Sequence, residues 1–115
     1  MIRRGSELSS ETVEKKAGGK GELITRNIVE LDEMQGKGRL FGVLVLPPGS
    51  SIGYHQHTDD IETYYILSGD GLVNDNGTMV KVSPGDMVFC AKGDRHSIEN
   101  AGKNNLEFIA LKLFA

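Results

Sequence analysis

The stretch "YHQHTDDIETYYILSG", residues 54–69, decides how the rest of this chain is interpreted. It contains two of the three histidines, His55 and His57, and a glutamate, Glu62, five residues after the second. Alternate residues of a β-strand face the same side of the sheet, so a strand here puts both imidazoles on one face. A polar corner at residues 58–60 separates them from Glu62. We predict that the chain turns at this corner and brings the carboxylate of Glu62 back beside the two imidazoles.

The third histidine, His96, lies outside this stretch and begins a short strand, "HSIEN", after the turn "AKGDR". A neutral imidazole offers one lone pair to a metal ion, and a carboxylate adds an anionic oxygen. Three imidazoles and one carboxylate leave open positions on an octahedral ion, as ligand-binding and catalytic sites require. Two histidines spaced by one residue are also common on polar strand surfaces, which is the alternative that the spacing alone leaves open. The predicted metal ligands are His55, His57, Glu62 and His96.

From residue 22 onward the chain has the pattern of an all-β protein. Runs such as "RLFGVLVL", "IETYYIL" and "LEFIALKLF" are rich in β-branched and aromatic residues and are bounded by turn residues. Asn76-Gly77 between two alternating runs predicts a two-residue hairpin turn, because both residues tolerate positive φ. "LPPGS" and "VSPGD" predict Pro-Gly turns. Many short strands in a chain of 115 residues indicate one sandwich or barrel domain.

The two ends of the chain bear on its assembly. Residues 1–21 are polar and end in "GGKG", so we interpret them as an N-terminal arm that either reaches a partner subunit or is a disordered tail, and residues 22–115 as the barrel domain. The last strand, "LEFIALKLFA", is apolar on both faces. A strand of that kind is covered on one side by the core and on the other by a second subunit. We therefore expect a homodimer.

Composition excludes several classes of function. The net charge is −3 and no block of Lys or Arg stands out, so we expect no nucleic-acid partner. No apolar run approaches the ~18 residues of a membrane span, and the basic N-terminus is not followed by the apolar segment of a secretory signal. The single cysteine, Cys90, lies in the apolar run "MVFCA", where a small buried side chain is expected. One cysteine without a partner fits a reducing compartment, and we expect a cytoplasmic protein.

A frame of glycines surrounds the four predicted ligands and carries a family resemblance. The first part has the pattern G-x5-H-x-H-x4-E-x6-G, and the second, after fifteen further residues, has G-x5-A-x-G-x2-H-x3-N. Together they resemble the two-part signature of the cupin superfamily, over Leu46 to Asn100. In the family the second part usually has proline where this chain has Ala91. The matching residues are Gly49, His55, His57, Glu62 and Gly69, and then Gly85, Ala91, Gly93, His96 and Asn100.

The resemblance implies a fold and a chemistry. The fold is a conical β-barrel, a jelly roll of two antiparallel sheets, with the metal inside. The short chain is similar to small bacterial single-domain cupins of the oxalate decarboxylase-like kind, which implies Mn(II), with Fe(II), Ni(II) or Zn(II) as alternatives. The implied reaction converts oxalate to formate and CO2. We keep two alternatives: a non-enzymatic cupin that binds a metal and a small ligand, and an iron or manganese dioxygenase or isomerase acting on another small acid.

The chain departs from the decarboxylase pattern around its expected substrate. Oxalate decarboxylases carry an arginine three residues before the first ligand histidine, and this chain has Ile52 there. They also use a lid glutamate as proton donor, which we cannot match, so the donor is not identified. Arg39, at the start of a strand, can replace the arginine at the barrel mouth, whereas alternation from His96 sends Arg95 outward. Tyr64 shares a face with Glu62 and either lines the pocket or packs in the core.

Overall fold

Ten β-strands and three single-turn 3-10 helices make up the regular structure of the protein, and there is no α-helix. The computed structural model describes all of residues 1–115. The short helices are Gly5–Glu7, Lys16–Gly18 and Asp32–Met34. The strands are β1 Ser10–Glu14, β2 Glu22–Val29, β3 Gly38–Leu46, β4 Ser51–Gln56, β5 Asp60–Ser68, β6 Gly71–Asp75, β7 Thr78–Val82, β8 Met87–Cys90, β9 Arg95–Asn100 and β10 Leu106–Phe114.

The strands form two antiparallel sheets, which confirms the predicted all-β jelly roll. The larger sheet has the order β1-β2-β3-β10-β5-β8, and the smaller has the order β4-β9-β6-β7. Alternate residues of both sheets point inward and bury an apolar core. Its most deeply buried members are Leu46, Ile66, Ile98, Leu106, Phe108 and Ala110. No helix of this structure has the length and apolar character to cross a membrane.

Two turns show how the sequence sets the strand connections. The predicted hairpin joins β6 to β7 through Asn76 and Gly77, whose φ angles of 50° and 100° are those of a type I′ turn. The amide of Gly77 donates to Oδ1 of Asn74, at 2.7 Å. Gly69 directly follows β5 with a φ of +88°, and a Cβ there would lie 2.5 Å from the carbonyl oxygen of Asn105. This signature position therefore requires glycine for both conformation and space.

The N-terminal arm packs against the barrel of its own chain. Strand β1 pairs with β2 along its whole length, so the arm forms the edge of the larger sheet. Arg3 donates two hydrogen bonds of 2.9 Å to the carboxylate of Glu33. That contact with Arg3 lowers the pKa of Glu33 to about 2. Strand β2 follows, beginning at Glu22. A contact of the arm with a partner subunit stays a prediction.

Candidate metal centre

The four predicted ligands come from separate segments and meet inside the barrel. His55 lies on β4, opposite His96 on β9 in the strand register. His57 follows β4, and Glu62 projects inward from β5. The ligand atoms of all four side chains lie within 4.8 Å of one another. We call these four side chains, His55, His57, Glu62 and His96, the ligand cluster.

A tight backbone contact explains why His57 reaches the cluster although it lies beyond the end of β4. Its amide donates to the carbonyl oxygen of Asp94, at 3.0 Å, and its carbonyl oxygen accepts from the amide of Gly93, at 2.6 Å. Gly93 and Asp94 form the turn that leads directly into β9. This pairing ties the segment after the first two histidines to the turn before the third, so His57 and His96 approach each other.

The separations between ligand atoms are those expected around one metal ion. The Nε2 atom of His57 lies 3.1 Å from Nε2 of His55 and 2.9 Å from Nε2 of His96. Oε1 of Glu62 lies 3.2 Å from Nε2 of His57 and 3.1 Å from Nε2 of His96. Two donors bound at about 2.1 Å and at right angles to each other stand about 3.0 Å apart. The donor set therefore fits a divalent cation.

The other ring nitrogens fix the orientation of two imidazoles. Nδ1 of His55 lies 2.6 Å from the carbonyl oxygen of Gly53, and Nδ1 of His57 lies 2.6 Å from Oδ1 of Asp60. Because a carbonyl and a carboxylate only accept, each Nδ1 donates a proton, and in the neutral form of either ring the Nε2 lone pair is directed toward the centre. Two Nε2 lone pairs at this distance repel each other unless a proton or a metal ion lies between them. Nδ1 of His96 is buried without a partner.

Asp60 is a buried neighbour of the cluster that the sequence did not reveal. Its side chain is buried, and it holds His57 through the 2.6 Å contact just described. Its second oxygen, Oδ2, lies 3.4 Å from Nε of Arg39. A carboxylate behind a ligand histidine fixes the ring orientation and increases the basicity of the ligand nitrogen. In the sequence, residues 58–60 form only a polar corner, because nothing local distinguishes the buried Asp60 from its exposed neighbour Asp59.

Charge within the cluster suits metal binding. Burial favours the neutral form of Glu62, but hydrogen bonds from His57 and His96 outweigh it and lower the pKa of this carboxyl. Burial lowers the pKa of His55. The contact with Glu62, reinforced by Asp60, raises the pKa of His57 against the effect of burial. At neutral pH the cluster therefore offers an ionised carboxylate, and His55 as a neutral imidazole, as metal binding requires.

A cavity of about 430 Å³ opens beside the cluster, and three cationic side chains line it, namely Lys16, Arg39 and Lys112. Lys112, on β10, places Nζ 3.7 Å from Oε2 of Glu62. Arg39 lies at the mouth, pairs with the carboxylates of Asp59 and Asp60, and stacks its guanidinium 4.9 Å above the ring of Phe114. Sequence reasoning missed Lys112, although alternation along β10 puts it on the same inward face as Phe108 and Ala110. A cation on an otherwise apolar face was the available signal.

The remaining candidate residues have definite places. Tyr64 is only 1% exposed, and its ring stacks on His96 with centroids 5.1 Å apart and packs against Phe108. It also lines the cavity, so it belongs to both the core and the site. Burial, and then the charge of Glu62, raises the pKa of the Tyr64 phenol well above its usual value. Ile52 is buried and lines the cavity as well, whereas Arg95 is exposed and donates to Gln56.

Comparison with known proteins agrees with this architecture. The family model of the cupin domain matches residues 42–112. The chain is 44% identical, over 96% of its length and 92% of the other protein, to an "oxalate-binding protein" of Thermotoga maritima. A crystal structure of a "predicted oxalate decarboxylase" from Thermotoga maritima superposes with a TM-score of 0.94 at 43% identity, covering all of both chains. The polyketide cyclase RemF of Streptomyces resistomycificus shares the fold, with a TM-score of 0.76 at 19% identity over 97% of this chain and 80% of the cyclase.

Proposed function

This chain belongs to the cupin family, and we propose that its ligand cluster holds a divalent cation on which the protein binds a small carboxylate such as oxalate. The observation that carries the proposal is the convergence of three imidazole nitrogens and one carboxylate oxygen within 4.8 Å, at the wall of a cavity that also contains Lys112. The similarity to a protein named for oxalate binding supports the ligand class.

The residues of the cluster have distinct tasks in this proposal. A bound divalent cation would act as a Lewis acid toward a carboxylate oxygen of the ligand. The imidazoles of His55, His57 and His96 and the ionised carboxylate of Glu62 would hold it, and Asp60 would keep His57 in the tautomer that binds. Lys112 would add positive charge beside the ligand, Arg39 would attract anions to the mouth, and Tyr64 would support the ring of His96. Lys112 beside the cluster and Arg39 at the mouth thus provide positive charge along the path of an anionic ligand.

We propose Mn(II) as the metal. Affinity alone favours copper or zinc at any site of nitrogen and oxygen donors, so selection depends on coordination geometry and on supply. Three imidazoles and one carboxylate leave open positions that suit an octahedral ion better than four-coordinate zinc. Metal analysis of the protein purified without chelators checks this directly. One manganese ion per chain supports the proposal. One zinc, iron or nickel ion per chain would contradict it and identify that ion as the metal.

Binding without rapid turnover is the function that the geometry supports best. Conversion of oxalate to formate and CO2 needs a proton delivered to carbon as the C–C bond breaks. The carboxylates nearest the cluster are all engaged, Asp60 by His57, Asp59 by Arg39, and Glu62 within the cluster itself. Glu11 of β1 is the one further carboxylate that lines the cavity. We therefore propose slow decarboxylation at most, with dioxygenase or isomerase chemistry on another small acid as the alternative.

Titration calorimetry with oxalate tests the proposal. Protein loaded with Mn(II) should bind oxalate, and the same protein stripped of metal should not. Glu62→Gln should abolish metal-dependent binding, whereas Glu14→Gln, an exposed carboxylate on β1, should leave it unchanged. Formate and peroxide are assayed in parallel under O2, followed by a panel of other small acids. Oxalate binding that is equally strong without metal would rule out this function.

We propose that the larger sheet forms a homodimer through its outer face. The register aligns Val43, Ile109, Tyr65 and Met87 in one row across four strands, and a second row contains Phe41, Leu111, Thr63 and Phe89. Tyr65, Met87 and Phe89 are exposed. Monomers rarely expose an apolar face of this extent, and a flat sheet face can pair with a copy of itself.

Light scattering tests the dimer. The parent protein should have twice the mass of one chain, and Met87→Lys, which puts a charge into the proposed interface, should have the mass of one chain. A monomeric parent protein would contradict the dimer.

We also propose a cytoplasmic location. Cys90 is the single cysteine, and it is buried and unpaired, so the fold has no disulfide that would need an oxidising compartment. Burial raises the pKa of this thiol to about 11, which keeps it protonated and unreactive at neutral pH. Cell fractionation tests the location, and recovery with an extracytoplasmic fraction would contradict it.

A further inference from the structure

The cavity beside the ligand cluster changes character along the larger sheet. At β5 its wall carries Glu62, and at the neighbouring strand β10 it carries Lys112. Beyond β10 the wall becomes mainly apolar on β3, β2 and β1, and Ile52 of β4 adds to it from the smaller sheet. We call these residues the apolar wall: Val13, Leu23, Leu40, Leu44 and Ile52.

The strand order measures how far the apolar wall extends. Neighbouring strands lie about 4.8 Å apart, so β3 is about 10 Å and β2 about 14 Å from β5 along the sheet. Oxalate has a single C–C bond of about 1.5 Å between its carboxylates and cannot extend from the cluster to these strands. A cavity of about 430 Å³ lies within the range of about 300–1,000 Å³ that is usual for larger ligands. Most of it would be unused with oxalate bound.

The charges along the far part of the cavity give no net attraction for a second carboxylate. Arg39 is already paired with Asp59 and Asp60, and Lys112 lies beside Glu62. Near β1 the cavity is lined by Glu11 and by Lys16, so one negative and one positive charge offset each other at this end. The far end thus combines an apolar wall with no unpaired cation from β2 or β3, because Arg39, the one cation that these strands contribute to the cavity lining, is paired with Asp59 and Asp60.

We propose that the preferred ligand is a monocarboxylate with an apolar body, namely a 2-oxo acid with an aliphatic side chain. Its head has the O–C–C–O arrangement of oxalate and would occupy the same place at the ligand cluster. Its side chain would lie along the apolar wall and displace water from Leu40, Leu44 and Ile52. This inference rests on the proposed binding of carboxylates at a metal ion, and it adds the class of ligand.

Calorimetry with a homologous series tests the ligand class. The probes are pyruvate, 2-oxobutanoate, 2-oxopentanoate and 4-methyl-2-oxopentanoate, each titrated into Mn(II)-loaded protein, with oxalate as the reference. Burial of one methylene favours binding by about fourfold, so we expect the affinity to rise at each step. Over the three carbons that separate pyruvate from 4-methyl-2-oxopentanoate, the gain should be roughly 50-fold.

Two variants locate the side-chain site. Leu40→Asn should reduce the gain over the series to less than about tenfold, and Leu31→Asn, the same change at an exposed turn, should leave the gain intact. Val13→Thr is nearly isosteric, lies on the exposed strand β1 and should not disturb folding, so it serves as a second test if Leu40→Asn misfolds. It should reduce the gain by about threefold.

The outcomes separate this inference from the function on which it depends. If oxalate binds but affinity does not rise along the series, the ligand class is wrong and the proposed function stands. If neither oxalate nor any 2-oxo acid binds the Mn(II)-loaded protein, both are wrong. A gain that rises along the series but is equal in the parent protein, Leu40→Asn and Val13→Thr would overturn the placement at the apolar wall.

Discussion

The ligand cluster and the apolar wall line the same cavity, but different forces build them. The cluster consists of polar groups, all buried except the half-buried His55, that contact one another at distances such as the 2.9 Å between His57 and His96. Their burial costs desolvation and does not by itself stabilise the fold. The apolar wall makes no such contacts, and its members Leu23, Leu44 and Ile52 belong to the hydrophobic core. The cavity therefore has a chemical end, the ligand cluster, and a stabilising end, the apolar wall. Substitutions at the two ends should have different effects on metal binding and on stability.

The largest effect should come from the stabilising end. Leu44 is 2% exposed, and Leu44→Ala removes buried methyl groups and leaves a void, so we expect a loss of about 2–5 kcal/mol in the free energy of unfolding. Affinity for Mn(II) should change little, because no ligand atom is lost. Urea denaturation measures the loss, with the exposed Leu31→Ala as the control, expected within about 0.5 kcal/mol of the parent. A loss below about 1 kcal/mol would mean that this end is not the stabilising one.

The chemical end should show the opposite behaviour. His57→Ala removes the ligand that contacts the other three cluster members, and we expect Mn(II) affinity to fall by more than about 100-fold, beyond the range for residues behind a ligand. The unfolding free energy of the metal-free protein should fall less than for Leu44→Ala. Thr78→Ala, on the exposed β7, serves as the control for both measurements. Unchanged metal affinity in His57→Ala would remove the basis for the metal centre.

A smaller loss of Mn(II) affinity should follow from changing Asp60, the carboxylate that orients His57. Asp60→Asn keeps an acceptor for Nδ1 of His57 but removes the negative charge, and we expect roughly a tenfold loss of Mn(II) affinity. Asp59→Asn is the matched control: its carboxylate neighbours Asp60 in sequence but contacts only Arg39, and a change below twofold is expected. Equal losses in the two variants would mean that general charge at the mouth, and not the contact to His57, supports the metal.

The ligand cluster could be predicted from the sequence, but the apolar wall could not, and the reason is physical. Strand alternation and the glycine frame suffice to bring together His55, His57, Glu62 and His96, because spacing within short strands fixes which side chains share a face. The hairpin at Asn76 and Gly77 followed from turn chemistry in the same way.

Features that depend on pairing between distant strands were not predictable in this way. Lys112 faces Glu62 only because β10 lies beside β5, and the apolar wall exists only because β1 and β2 extend the same sheet. The arm at residues 1–21 carried no pattern that fixed its pairing with β2. Asp60 was missed because its burial depends on the packing of β5 against the mouth, which no local pattern reports.

The smallest effect concerns the arm that completes the stabilising end. Arg3 holds the pKa of Glu33 at about 2, against an ordinary value of 4.5. A depressed carboxyl pKa stabilises the folded state above the ordinary value, and the stabilisation is lost as pH falls through 4.5 toward 2. At pH 7 the thermal unfolding midpoint of the parent protein should therefore be slightly higher than that of Glu33→Gln. The difference between the two midpoints should shrink below pH 4.5. Glu7→Gln, which lacks the Arg3 contact, should show no such pH dependence. A difference that persists to pH 2 would assign the effect to packing of the arm and not to the charge pair.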